Sequence, residues 1–145
     1  MDIKTAERKL KNLAQHSDEE VDLRVNAAHD KAFKHINCLE CANCCKTKGP
    51  AFNKKDVNRI ARHLQLEPQT FVDEYLEYNV DDNLVLKTLP CPFLGKDNYC
   101  GIYEIRPLAC ASYPHTDTRK TKNLFPYLLE HLETCPAIEY IIDKA

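Results

Sequence analysis

Between residues 37 and 46 the chain reads NCLECANCCK, which places Cys38, Cys41, Cys44 and Cys45 within eight positions. Their neighbours Glu40, Asn43 and Lys46 are not core material, so packing as small apolar side chains does not account for the cluster. Two chemistries ask for clustered thiols: disulfide bonding and metal ligation. A C-x2-C unit is half of a tetrahedral zinc site, and thiols at every third residue also match part of a ferredoxin cluster run. In a turn or a first helical turn, side chains three apart share a face, so Cys38, Cys41 and Cys44 can aim at one ion. Cys45 departs from the ferredoxin spacing because it directly follows Cys44. Adjacent residues rarely both bind one tetrahedral ion, so one of the pair could ligate while the other stays reactive or serves a second metal.

A second group lies in CPFLGKDNYCGIYEIRPLAC, with Cys91, Cys100 and Cys110, and Cys135 stands alone in ETCPA. Proline follows Cys91 and Cys135 directly, removing a backbone donor and stiffening the turn beyond each thiol. Eight thiols suffice for two four-sulfur sites, or for one site with spare redox-active thiols. Cys135, near Leu132 and Ile138, fits a buried apolar thiol as well as it fits a ligand. Ligation itself deprotonates a thiol, and Lys46, Lys48, Arg106 and His115 are candidates to orient and neutralise the resulting thiolates.

Composition narrows the choice. The 145 residues are 43% hydrophobic and 29% charged with a net charge of −2, an ordinary profile for one globular domain. That charge gives no case for a nucleic-acid or anionic-membrane partner, and no apolar run is long enough to span a bilayer. The opening MDIKTAERKL has no apolar stretch of the secretory kind. The expected compartment is therefore the reducing cytoplasm, where clustered cysteines mean metal or catalysis more often than disulfides. Three glycines and no tryptophan argue against a glycine-rich phosphate loop or a β-sandwich. The other histidines, His16, His29, His35, His63 and His131, read as solvated or packed helical residues, and Asp81, Asp82 and Asp97 as turn formers.

The elements that must position these thiols are mostly helical. Ile3, Ala6, Leu10 and Leu13 recur at helical spacing. Ser17, with Glu20 three residues on, caps a second helix carrying Val21, Val25, Ala28, Ala32 and Ile36. Asn53 caps a third with Val57, Ile60, Ala61 and Leu64 on one face, and Pro68 opens a fourth with Phe71, Val72, Tyr75 and Leu76 inward. Residues 84–89, LVLKTL, are the one convincing strand, and the tail forms two helical pieces that part near Cys135 and Pro136. The fold class expected is mostly α: a small helical domain with irregular cysteine-rich loops and at most a short β-hairpin. The expected division is a helical extension over 1–36 and a cysteine-cluster domain over 37–145, packed as one globular unit.

The ordered motifs CLECANCC, LPCPFL and YCGIYEIRPLAC resemble the bacterial cysteine-cluster proteins of the CxxCxxCC family, described as zinc- or iron-chelating domains. The likeness covers roughly residues 37–115, with CPA near the end adding to it. It implies binding of zinc or iron, with an iron–sulfur cluster as one form, by Cys38, Cys41, Cys44, Cys45, Cys91, Cys100 and Cys110. The family commonly has glycine after the second cysteine, where this chain has Ala42; Asn43 is then expected to take the left-handed turn. The family also often has a basic residue after the RPxxC cysteine, where this chain has Ala111. A similar cluster occurs in the longer flagellin lysine-N-methylases, but no adenosyl-methionine loop is present here, and methyl transfer has no residues to carry it. The expectation is a metal-binding protein with a multi-cysteine thiolate site; the alternative is an iron–sulfur or thiol-based redox protein, companion to a modification enzyme.

Overall fold

The computed structural model describes residues 1–145. More than half the chain is helical, in nine α-helices, and the only sheet is small and three-stranded. The fold class is thus mostly α with a little β, as expected. The chain divides into two compact units, one from residues 1–37 together with 112–145 and the other from residues 38–111. The divisions fall after Asn37 and after Ala111.

In the first unit, α1 (Ile3–Leu13) and α2 (Asp18–Ala32) pack on the C-terminal helix α9 (Pro136–Lys144). The apolar residues anticipated on α1 and α2 are the buried ones: Ala6, Leu10 and Leu13, then Val21, Val25, Ala28 and Ala32. They meet Ala137, Ile138, Ile141 and Ile142 of α9 and Leu128 of α8 (Phe125–Glu130). Ser17 caps α2 as its sequence signature demands, its hydroxyl accepting from the Glu20 amide at 3.2 Å.

The polar side of α2 has a task that periodicity did not reveal. Asp22, Asn26 and His29 lie one turn apart and hold the segment 116–121. Asp22 accepts from the amides of Lys120 and Thr121 and from the Thr121 hydroxyl, at 2.7–2.9 Å. Asn26 Nδ2 donates to the Thr116 and Thr118 carbonyls, and His29 Nδ1 is 2.8 Å from the hydroxyl of the fully buried Thr116. His29 is therefore not a solvated helix residue, as its charged neighbours suggested, but part of this clasp.

In the second unit, β1 (Ala51–Phe52), β3 (Leu84–Leu86) and β2 (Leu76–Tyr78) form an antiparallel sheet in that order. The expected strand is shorter than LVLKTL, and β1 adds a third strand to the hairpin. Helix α5 (Lys54–His63) and helix α6 (Pro68–Tyr75) bury Val57, Ile60, Ala61 and Phe71 with Phe52, Leu76, Leu86 and Ile102. Pro68 starts α6 and Asn53 caps α5, both as read from sequence. The cysteine segments are not all loops. Cys38 and Cys41 bound a single turn, α3 (Cys38–Cys41); Cys44 and Cys45 lie in α4 (Asn43–Thr47); Cys110 lies in α7 (Leu108–Ser112).

Candidate metal centre

The left-handed residue between the first two helical turns is Ala42, with φ 54°, and not Asn43, which opens α4. Ala42 is the hinge of the CxxCxxCC run. Its amide closes α3 on the Cys38 carbonyl and its carbonyl accepts the Lys46 amide, both at 3.1 Å. A reversal at that point is what turns Cys38 and Cys41 on one short helix toward Cys44 and Cys45 on the next.

The second cysteine segment is a small hairpin. Leu94 and Cys100 form an antiparallel bridge, Gly95 N–H donates to the Tyr99 carbonyl at 2.8 Å, and Gly101 N–H to the Phe93 carbonyl at 2.8 Å. A Cβ on Gly95 would stand 2.7 Å from Asp97 Oδ1 and 3.2 Å from the Tyr99 carbonyl oxygen, so any larger residue there must displace the Asp97 side chain. Asp97 shapes the turn as anticipated, accepting from the Tyr99 amide at 3.1 Å. The Cys91 sulfur faces the Phe93 and Leu94 amides, and the Cys100 sulfur faces the Ile102 amide. Backbone N–H groups aimed at sulfur favour thiolate over thiol and serve the same purpose around a metal-bound thiolate.

Cys110 is placed by residues far away in sequence. Asp56 is buried; its carboxylate pairs with Arg59 at 2.8 Å and accepts the Leu108 amide at 3.1 Å. Arg59 in turn donates to the Ile105 carbonyl at 3.1 Å and the Arg106 carbonyl at 2.9 Å. One α5 ion pair thus fixes both sides of the Arg106–Pro107 step that leads into the helix of Cys110. Asn53 and Asp56 also complete a reciprocal cap at the start of α5. The sequence signal for Asp56 was the cap alone.

The two cysteine segments meet through the backbone: the Cys91 amide donates to the Cys45 carbonyl at 2.7 Å. Charge on Cys45 bears on Cys38, Cys91, Cys100 and Cys110, and Cys44 bonds Cys45 through its side chain. Desolvation, aided by neighbouring thiols, pushes Cys91 up to about 11 and Cys110 up to about 12. Cys44 is raised by its bond to Cys45, while Cys45 is lowered to about 7 by the Cys44 thiol and by Lys46. Arg106 opposes the rise at Cys38, Cys100 and Cys110. Its guanidinium also lies 4.0 Å from the Tyr103 ring centroid.

None of the eight cysteines forms a disulfide. The structure gathers seven of them, Cys38, Cys41, Cys44, Cys45, Cys91, Cys100 and Cys110, in the unit 38–111. No three Cys, His, Asp or Glu side chains close on one point at ligand distances; binding a metal requires the thiols to deprotonate. The donor set, soft sulfur throughout, suits zinc, iron–sulfur clusters and other thiophilic metals. Cys135 belongs to the other unit, 8% exposed in its apolar core. His115 also belongs to that unit; its Nδ1 is 3.1 Å from the Ser112 hydroxyl, its ring lies beside Tyr113 and Tyr127, and burial lowers its pKa.

A family model described as "CxxCxxCC: Putative zinc- or iron-chelating domain" matches residues 37–135. The chain belongs to this family. The metals that the family description names, zinc or iron, are those the thiol set called for in sequence. The CxxCxxCC model runs from the residue before Cys38 to Cys135 and so takes in all eight cysteines. No curated protein matches the chain, and no solved structure does. No helix is long and apolar enough to cross a membrane.

Proposed function

We propose that the unit 38–111 is a thiolate metal centre, binding zinc or iron through Cys38, Cys41, Cys44, Cys45, Cys91, Cys100 and Cys110. Arg106 and Lys46 offset the thiolate charge, and Cys135 acts as an apolar core thiol. The observation that carries this reading is the meeting of the two cysteine segments at the Cys45 carbonyl and Cys91 amide. Nothing in an apolar core needs seven cysteines in this one unit. In this reading the bound metal is structural and the protein a binding module of the reducing cytoplasm. Such ions contribute roughly 10 kcal/mol or more of apparent binding energy, enough to order short helical turns that hold little apolar surface. His115, in the aromatic group of the other unit, tunes that group instead of the metal.

Elemental analysis of anaerobically purified protein, with a visible spectrum of the same sample, tests this. Stoichiometric zinc in a colourless sample, or iron in a coloured one, supports it, and Cys41→Ser should lower the metal content. A folded chain carrying neither metal, with all its thiols open to labelling, rules it out.

One observation favours a second reading. Cys45 is the thiol most ready to ionise near neutrality, the condition for a reactive nucleophile. In a redox protein Cys45 would stay unligated and react with an alkylating reagent in the metal-loaded state; protection of Cys45 by metal excludes that role.

A further inference from the structure

The two units treat their charges differently. In the unit of residues 1–37 and 112–145, bases and carboxylates pair: Lys9 with Asp143, Arg24 with Glu20, Lys122 with Asp18. In the unit 38–111 the one ion pair is Arg59 with the buried Asp56. The other charges of residues 41–86 are sorted by sign. Residues 41–66 carry Lys46, Lys48, Lys54, Lys55, Arg59 and Arg62 against Asp56 alone. Residues 67–86 carry Glu67, Asp73, Glu74, Glu77, Asp81 and Asp82 and no base. The next base, Lys87, donates to the Asp73 backbone carbonyl and offsets one of them. Apart from Asp56 and the half-buried Arg59, all these side chains are exposed.

The fold sets the two signs at opposite edges of one sheet, whose order is β1-β3-β2. Lys46 and Lys48 precede the outer strand β1, and Lys54 and Lys55 follow it in the first turn of α5. A helix start favours acids, so stability of α5 does not explain two lysines there. Glu77 lies in the other outer strand, β2; Asp73 and Glu74 lead into it on α6, and Asp81 and Asp82 lie in the turn beyond. On this acidic edge Tyr78 and Val80 stand 68% and 99% exposed. An outer strand has no neighbour on one side and is where a second chain can be added.

We propose that the acidic edge of one chain docks on the basic edge of a second copy, Glu77 and Asp81 meeting Lys54 and Lys55, with Tyr78 and Val80 inside the contact. Opposed charges of this kind steer encounter and fix register more than they add affinity. The contact is head-to-tail, so every copy keeps one edge open and assembly continues past two unless rotation closes a ring. No bond is made or broken. No thiol takes part, so the docking and the metal reading stand or fall separately.

Sedimentation velocity of the full chain, over a concentration series at low and high salt, tests this. The screening length falls from about 30 Å at about 0.01 M salt to about 3 Å at about 1 M. Species larger than the monomer should form at the first and dissociate at the second. A monomer at every concentration and salt, or association that salt leaves unchanged, overturns the docking. Two double variants assign the edges. Lys54→Glu with Lys55→Glu, and Glu77→Lys with Asp81→Lys, should each be monomeric with unchanged metal content. Mixed in equal amounts they should form a one-to-one complex that grows no further, because the mixture retains one native edge of each sign. A mixture that stays monomeric, or a variant that associates as the parent does, overturns the docking. If either variant fails to fold, the salt dependence of the parent decides.

Discussion

The buried carboxylate of Asp56 and the guanidinium of Arg59 meet at 2.8 Å, and between them they hold both sides of the Arg106–Pro107 step that leads to Cys110. The Arg59 side chain is 39% exposed and rehydrates, but removing the buried Asp56 carboxylate leaves the Asn53 and Leu108 amides without their acceptor, which costs about 1–3 kcal/mol. Asp56→Ala should therefore lower the stability of the unit 38–111 by about 1–3 kcal/mol in a denaturant titration. It should also weaken metal binding, although Asp56 is no ligand. A variant with wild-type metal affinity would show that the segment 105–110 is positioned by something else.

Ala42 has a left-handed backbone and is only 3% exposed. Ala42→Gly relieves the Cβ contact but loses a buried methyl and adds unfolded-state entropy, so it should stay within about 1 kcal/mol of the parent. Ala42→Val, β-branched in the same conformation, should cost about 2 kcal/mol or more. Paired melting curves would check the contrast; equal stability of the two variants would contradict the hinge.

The metal-free protein should lose stability in alkali. Desolvation raises Cys91 to about 11 and Cys110 to about 12 in the folded state, against an ordinary thiol value of 9.0. Groups raised on folding contribute stability that is whole below their unfolded value and drains as pH climbs through the folded one. The melting temperature of the stripped chain should fall between pH 9 and 12. With metal bound the same thiols are already deprotonated, so the loaded protein should fall less over that window. Parallel curves for the two forms would contradict this account.

His29→Ala should destabilise the first unit by about 1–3 kcal/mol, because the hydroxyl of the buried Thr116 loses its side-chain partner. Metal content should not change, since Asp22, Asn26 and His29 serve the other unit. Melting and elemental analysis on one preparation would separate the two effects.

Much of this was legible in the sequence because the signals are local. Ser17 and Asn53 cap helices through bonds three residues long, and the apolar faces of α1, α2 and α5 repeat within single turns. The cysteine motifs are equally local in spacing. What was not legible depends on partners brought from afar. His29 bonds a residue 87 positions away, and Arg59 bonds carbonyls 46 and 47 positions away; a charged helical stretch says nothing of either. Ala42 was missed for a different reason. Propensity favours Asn in the left-handed region, but α3 ends at Cys41 and α4 begins at Asn43, which leaves Ala42 as the only residue to make the reversal.

The first unit is assembled from both ends of the described chain, with residues 38–111 interposed between its halves. To bring α9 against α2, the chain must close a loop the length of the entire cysteine unit, and the entropy of that closure depends on how freely the loop moves. Ordering 38–111 around a metal restricts the loop before its ends meet. Because closure entropy grows only slowly with loop length, about 0.6 kcal/mol per doubling, a metal bound in 38–111 would help the helical unit close by a small amount.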